Sequence, residues 1–518
     1  MISGTFETHI TVMDHDAEGL AIFAEKYGVT FLYIELDRGA TRFQPMLTLH
    51  GAGTLREQRS MVDKWCEWLR AAGMSPVRTK IEATPWSEGV PERDSDALRE
   101  PESRYFEHHI KLRLPSASVA ALLTVTDLVA PHGARLSRNA RRKDTGGTEV
   151  RFVNQRCHRV GRLSASHRLH QLLDDLRSAG QDIVSVEQEY VAYDSHLDLD
   201  HGWLDQQPVR RDSWEDRRET RARTERPGAA GYPATYQPLA KGRGVTQRGA
   251  FDPALKQYEN AYTAGEPVFR DAAAGGRWQQ ARRAAMAHLL AVIAGTRWAE
   301  HLVLRGSVTM AAWVGDAARE PGDLDFVVTP ATMPADSAQG RELLADIVAA
   351  VLDAPGAGLR PEQTAHSEIW TYERAEGRRL VIPFSAADTP DGTVQIDFVF
   401  GEELPIPPEP IEVLGTVVWA ATAELSLAWK LQWLATDSYP QGKDLYDAVL
   451  LAEHTTVDFG LVRELMREEL GAAADRFTAE TVFSWDGIDW PNFADVCPGI
   501  EGTAEQWLRR LAVGLDRR

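Results

Sequence analysis

Gly322-Asp323-Leu324-Asp325-Phe326-Val327-Val328 is the most informative stretch of this 518-residue chain. Its apolar residues alternate with two acids. Side chains two apart on a strand share a face, so Asp323 and Asp325 point the same way while Leu324 and Phe326 face a core. Two carboxylates held side by side repel unless a cation lies between them. A second apolar strand, Val394-Gln395-Ile396-Asp397-Phe398-Val399-Phe400, again carries one acid. If the two strands are neighbours, three carboxylates converge. That is the ligand set for magnesium, a hard cation that prefers oxygen donors and phosphates, and for phosphoryl or nucleotidyl transfer with two metal ions. The pair taken alone has a plainer reading, as solvated carboxylates on an edge strand or turn.

Upstream, Leu302-Val303-Leu304 runs into Arg305-Gly306-Ser307 and a helical segment. Glycine permits close backbone approach, and the amides of a strand-to-helix turn can hold a phosphate. The Ser307 hydroxyl adds a donor for a terminal phosphate oxygen. Downstream, the helical run Glu424-Leu425-Ser426-Leu427-Ala428-Trp429 ends in Lys430, and Lys443-Asp444-Leu445-Tyr446-Asp447 follows. A lysine near the metals would neutralise triphosphate charge. Lys430 read alone is a solvated helix lysine, and Asp444 and Asp447 read alone cap a helix or pair with Lys443.

This order of motifs, over about residues 281–453, resembles the AbiEii type of nucleotidyltransferase in the DNA polymerase β superfamily, known as toxins of type IV abortive-infection systems. Gly306 and Ser307 match the family's Gly-Ser, and Asp323 and Asp325 its metal pair. Asp397 matches the third acid, Lys430 the lysine after it, and Asp444 and Asp447 the terminal acidic motif. The chain departs from the pattern in a longer gap between Ser307 and Asp323, absorbed by an inserted turn at Asp316–Pro321, and in Lys443, where the family often has arginine. The resemblance implies a metal-dependent enzyme that moves a nucleotidyl group from an NTP to an acceptor hydroxyl. Asp323, Asp325 and Asp397 would hold Mg²⁺ (or Mn²⁺); Gly306, Ser307, Lys430, Asp444 and Asp447 would serve the nucleotide. It further implies a tRNA end as acceptor, toxin-like arrest of translation, and an antitoxin partner.

The N-terminal half repeats itself. Phe6-Glu7-Thr8-His9-Ile10-Thr11-Val12 matches Phe106-Glu107-His108-His109-Ile110-Lys111-Leu112, and His50-Gly51-Ala52-Gly53-Thr54-Leu55 matches His158-Arg159-Val160-Gly161-Arg162-Leu163. Each second segment precedes a helical pattern closed by glycine, Gly73 in one copy and Gly180 in the other. Extended runs follow at Val77–Ala83 and Ile183–Tyr193. A unit therefore reads strand, helix, strand, strand, helix, strand, with a weak first helix: the ferredoxin-like pattern, doubled. The expected fold class is α/β and α+β, multidomain. It comprises ferredoxin-like repeats at 1–95 and 101–204, a linker at 205–250, and a polymerase-β-like transferase domain with a helical tail at 251–518. The charge-dense run from Val209 to Arg226, followed by Pro227-Gly228-Ala229-Ala230-Gly231-Tyr232-Pro233, marks the linker.

The pairs Glu7/His9 and Glu107/His109 each share a strand face. They admit a metal or anion site on a pseudo-twofold axis, or internal hydrogen bonds kept by duplication. His9-Ile10-Thr11 also resembles the His-x-Thr/Ser element of 2H phosphoesterases, although the second copy has Lys111 and His50 lacks the following hydroxyl. A catalytically silent chain that binds a ligand or partner through the duplicated half is a further alternative. The stretch Arg135–Arg168 is basic, with Arg138, Arg141, Arg142, Lys143, Arg151, Arg156, Arg159 and Arg162 against Asp144 and Glu149. It is either a surface for RNA phosphates or a solvated loop face.

Bulk properties frame these readings. The net charge of −19 lies wholly after Phe251, where 22 Lys and Arg face 41 Asp and Glu. An acidic half beside a neutral half suits separate domains and argues against non-specific nucleic-acid binding by the acidic one. The opening MISGTFETHITVMDHD lacks the basic and apolar regions of a signal peptide, and no apolar run approaches the roughly 20 residues that span a bilayer. Cys66, Cys157 and Cys497 are widely spaced. A cytoplasmic protein without membrane or disulfide framework is expected. The 15 tryptophans are scattered and read as core anchors.

Overall fold

The computed structural model describes residues 2–115, 118–141, 148–204, 244–247, 249–251, 262–371, 375–385, 388–437 and 439–517. The chain divides into two compact units, Met1–Arg210 and Arg211–Arg518. No helix among the described residues is long and apolar enough to cross a membrane.

In the first unit the strands close on themselves. β1 (Ser3–Val12), α1 (Ala17–Tyr27), β2 (Thr30–Leu36), β3 (Phe43–Thr54), α2 (Leu55–Ala71) and β4 (Pro76–Ala83) are followed by a second series in the same order. It comprises β5 (Tyr105–Leu114), α3 (Val119–Val129), β6 (Ala134–Asn139), β7 (Glu149–His158), α4 (Arg162–Ser178) and β8 (Asp182–Asp194). The barrel order is β1-β3-β2-β6-β7-β5-β8-β4. The two series are sewn together by the antiparallel pairs β2–β6 and β4–β8, and closure leaves no strand edge exposed. Strands of the stretches 1–95 and 101–204 thus share one barrel.

Local chemistry explains the helices. Thr54 and Glu57 form a reciprocal capping box at the start of α2. Gly73 and Gly180, just past α2 and α4, have φ of 84° and 72°, where a β-carbon would be strained. Phe6, Ile10 and Val12 pack against Leu20 of α1 and Val62 and Leu69 of α2. Ile110, Leu112 and Leu114 pack against Leu122 and Val125 of α3 and Leu169 and Leu172 of α4. Both first helices, weak in sequence pattern, form over 11 residues each because the sheet supplies the apolar partner.

The basic stretch is largely neutralised within this unit. Arg138 meets Glu35 at 2.8 Å, Arg151 meets Glu149 at 2.5 Å, and Arg156 meets Glu107 and Asp200 at 2.7 Å each. Arg141, Arg159 and Arg162 pair with Glu18, Glu102 and Glu92. Arg142, Lys143 and Asp144 lie outside the described residues, as do 205–243 of the expected linker.

In the second unit, the two-residue strand Val245–Thr246 pairs with Val268–Phe269, so its paired backbone reaches back into the 205–250 stretch. The main element is a seven-stranded sheet built from β9 (Leu302–Arg305), β10 (Asp323–Val328), β11 (Ala365–Thr371), β12 (Ala375–Phe384), β13 (Gly392–Phe400), β14 (Glu409–Val413) and β15 (Thr416–Ala420). Its order is β11-β12-β13-β10-β9-β15-β14. β10–β13 and β9–β15 are parallel and the other pairs antiparallel.

Helices α5 (Ala272–Ala294) and α6 (Ala338–Asp353) cover one face, where Leu289, Ile293, Leu343 and Ile347 pack on Leu324, Phe326 and Phe398. On the other face, Val303 and Val327 meet Leu425 and Trp429 of α7 (Ala423–Thr436). The helical tail continues with α8 (Gly442–His454), α9 (Phe459–Leu470), α10 (Trp490–Val496) and α11 (Ala504–Leu515).

Candidate active site

The strand alternation read from sequence holds. Leu324, Phe326 and Val328 are buried under α5 and α6, which turns Asp323 and Asp325 to the face shared with α7. β13 lies directly beside β10 in parallel, and Asp397 is in register with Asp325. One carboxylate oxygen from each of Asp323, Asp325 and Asp397 lies within 4.8 Å of the other two. Burial raises the Asp325 carboxyl well above the ordinary carboxylate range, and the charges of Asp323 and Asp397 add to this, against Arg305 and Lys443. Three oxygen donors crowded in this way fit a hard divalent cation, whose charge removes the repulsion.

Gly306 closes one side. Its φ is 82°, and a β-carbon there would lie 2.5 Å from Asp325 Oδ2, so the turn after β9 presses on the carboxylate only because it lacks a side chain. Ser307 is buried at the start of a short 3-10 turn, Ser307–Thr309, braced by the Thr309 hydroxyl donating to the Gly306 carbonyl at 2.8 Å. The helical segment expected next is short, Met310–Val314. The phosphate-facing groups on offer are therefore the amides of the turn and the Ser307 hydroxyl rather than the terminus of a long helix.

Arg379 escaped the sequence reading. It stands opposite Asp397 on β12, is 2% exposed, and donates from Nε to Oδ1 at 2.8 Å and from Nη2 to Oδ2 at 2.7 Å. Gln395 donates to the same Oδ2 at 3.2 Å. A two-pronged guanidinium fixes the plane of the carboxylate. The available signal was a cation embedded in a strand of buried apolar residues, Leu380-Val381-Ile382, where an unpaired charge is not tolerated.

Lys430 and the terminal acids form a neighbouring network. Lys430 Nζ is 2.6 Å from Asp444 Oδ1 and 3.5 Å from Asp447 Oδ2. Asp447 also takes Arg319 at 3.1 and 2.9 Å. Burial would strip the Lys430 charge, but Asp444 and Asp447 outweigh it and hold the ammonium protonated. Burial likewise opposes ionisation of Asp444, and Lys430 and Lys443 overcome it. The ammonium expected to face phosphate is thus committed to two acids, and Asp444 and Asp447 pair with Lys430 and Arg319. Lys443 is exposed, and its charge reaches Asp325.

The inserted turn before Asp323 is tied to the same network. Tyr446 donates to the Ala317 carbonyl at 2.7 Å, Arg319 binds Asp447, Arg283 pairs with Glu320, and Arg282 donates to the Gly322 carbonyl at 2.5 Å. The extra length is therefore anchored to α8 and α5.

In the barrel, His9 contacts Thr48 through Nδ1 at 3.0 Å and Glu82 through Nε2 at 3.0 Å. His109 contacts Asn154 and Glu189 in the same fashion. His50 is exposed beside Glu7, and His158 leans on the Tyr105 ring. Each strand histidine of the 2H-like element is therefore held by a glutamate.

Among curated proteins none matches the chain. Solved structures with detectable similarity include chlorite dismutases from Candidatus Nitrospira defluvii. A doubly substituted variant is 15% identical and the imidazole complex 16%, each covering 37% of this chain and 92% of its own, with TM-scores of 0.14. Scores that low do not equate the folds. Residues 288–501 match the family model described as "Nucleotidyl transferase AbiEii toxin, Type IV TA system". The C-terminal half of this chain therefore carries an AbiEii-type nucleotidyl transferase domain.

Proposed function

We propose that the C-terminal unit moves a nucleotidyl group from an NTP to an acceptor hydroxyl, with Asp323, Asp325 and Asp397 holding Mg²⁺ or Mn²⁺. The convergence of these three carboxylates on adjacent parallel strands is the observation that carries this reading. A divalent cation bound there would offset triphosphate charge and polarise the α-phosphate. The acceptor oxygen forms a new bond to the α-phosphorus, the bond to the β-phosphate oxygen breaks, and pyrophosphate leaves. Asp397, oriented by Arg379, accepts the proton of the acceptor hydroxyl. The turn amides and the Ser307 hydroxyl donate to phosphate oxygens. Lys443, the exposed cation whose charge reaches the carboxylates, screens the triphosphate. Lys430, Asp444, Asp447 and Arg319 act as the scaffold that positions α8 and the inserted turn.

By family likeness the acceptor is a tRNA end, the outcome is toxin-like arrest of translation, and an antitoxin is a partner. The pairing of Arg138, Arg151 and Arg156 with acids of their own unit gives little support to an RNA path along Arg135–Arg168. We read the barrel as a duplicated ferredoxin-like unit, supported by its twice-repeated strand and helix order. The test is mass spectrometry of total tRNA after incubation with the protein, Mg²⁺ and each NTP. A species heavier by one or more nucleotides, absent with Asp323→Ala, supports the reading. Unchanged tRNA with all four NTPs removes the tRNA acceptor.

A further inference from the structure

The transfer site makes no use of the barrel interior. On β1 and β5 the even-numbered Phe6, Ile10, Ile110 and Leu112 face the helices, so Glu7, His9, Glu107 and His109 face inward. Glu82 on β4 is in register with Glu7, and Glu189 on β8 with Glu107. Each half therefore contributes one Glu–His pair: Glu82 and His9 at 3.0 Å, Glu189 and His109 at 3.3 Å. The pairs meet where β4 joins β8. There a carboxylate oxygen of Glu82, one of Glu189 and a ring nitrogen of His109 all lie within 4.8 Å of one another.

The hydrogen bonds around His109 fix its proton. Asn154 Nδ2 lies within bonding distance of the Arg135 and Phe152 carbonyls at 3.2 and 3.3 Å and of Ser137 Oγ at 2.9 Å. Carbonyls only accept, so this atom is the amide nitrogen and Asn154 Oδ1 is an acceptor. His109 Nδ1, 2.7 Å from that oxygen, must then donate. Nε2 is thereby turned toward the Glu82 and Glu189 carboxylates, where a bound cation would take the place of a proton shared with Glu189. Glu82, Glu107, Asp194 and Asp200 are linked by contacts to Lys80, Arg78 and Arg156, and Glu189 to His109, so five acids face three permanent cations with His9 and His109 as the remaining partners. Buried charge requires a counterion.

We propose that Glu82, His109 and Glu189 bind one divalent transition-metal ion that cross-links the two halves of the barrel at the β4–β8 seam. One imidazole with two carboxylates suits Zn²⁺, Co²⁺ or Mn²⁺ rather than Mg²⁺. Asn154 holds the tautomer as metal-bound histidines require. Lys80, 2.7 Å from Glu82 Oε1, and His9, 3.0 Å from Oε2, orient the Glu82 carboxylate.

The full chain carrying Asp325→Ala, which removes the oxygen-only carboxylate cluster, is treated with chelator and titrated with Co²⁺. Visible absorption reports coordination, elemental analysis the stoichiometry, and differential scanning fluorimetry the Tm. One equivalent is expected, with a Co²⁺ spectrum and a rise in Tm. His109→Ala should abolish both, and Asn154→Ala, which keeps all three ligands, should weaken binding about 10- to 100-fold. If His109→Ala does not fold, the near-isosteric Glu189→Gln is read in its place. Absence of Co²⁺ from the Asp325→Ala chain, or binding unchanged by the His109 or Glu189 substitution, overturns the proposal.

Discussion

Asp325→Asn should make the protein more stable and inactive at once. The Asp325 carboxylate lies within 4.8 Å of both Asp323 and Asp397. At that distance two unit charges repel by about 3.5 kcal/mol at an effective dielectric constant near 20. Arg379 already balances Asp397, so Asp323 is the main uncompensated neighbour, and its partial exposure screens part of the repulsion. A net gain of roughly 1–2 kcal/mol remains, or about 2–3 °C in Tm for a unit of this size. The sign follows the raised Asp325 pKa. The carboxyl is neutral and tolerated below the ordinary carboxylate range, and stability is lost as pH rises through its folded-state pKa. The gap between variant and parent should therefore widen with pH. Fluorimetry of chelator-treated protein at pH 8, with and without MgCl₂, measures it. The parent should start lower and gain Tm with Mg²⁺; the variant should start higher and gain nothing. A variant that starts lower yet keeps the full Mg²⁺ gain would refute the electrostatic reasoning.

Gly306→Ala places a methyl group 2.5 Å from Asp325 Oδ2 at a φ of 82°; a loss of about 1–3 kcal/mol with nucleotidyl transfer abolished is expected in denaturant titration and turnover assays. Arg379→Ala leaves Asp397 buried without its main counter-charge, costing about 3–5 kcal/mol, and Arg379→Lys should restore more stability than kcat because a lysine lacks the two-pronged grip. Lys443→Ala should raise the KM for NTP about tenfold with Tm within 1 °C of the parent, roughly the effect of one exposed phosphate contact. Lys430→Ala, by contrast, should lower Tm by about 5 °C or more, since it strands Asp444 in the interior; equal effects of the two lysine substitutions on Tm would contradict the roles assigned to them.

The parts of the site legible in sequence were those governed by local periodicity. Alternation along 323–328 and 394–400 put the acids on one face, and the apolar residues between them demanded a central position for both strands. That these strands are neighbours, with Asp325 opposite Asp397, depends on the sheet order and has no local signal. Arg379 and Arg319 were hidden for the same reason: each acquires meaning from a partner 18 or 128 positions away. Lys430 shows the converse. Its place in a motif suggested phosphate, but the burial of Asp444 and Asp447 beside it decides where the ammonium points. In the barrel, matching of Phe6–Val12 with Phe106–Leu112 pointed to a repeated strand and helix order, because the inward and outward alternation is the same in both segments. The joining of both copies into one closed sheet rests on the seams β2–β6 and β4–β8, which no single-copy pattern encodes.

The most direct test of the central claim is covalent label transfer. The full chain is incubated with Mg²⁺, total cellular RNA and each NTP labelled at the α-phosphate, beside the same chain carrying Asp323→Ala, Asp325→Ala or Asp397→Ala. The account predicts acid-stable label on a macromolecular acceptor with at least one NTP, dependent on added metal and lost in all three variants. No transfer with any NTP, or transfer equal in parent and variants, would contradict it.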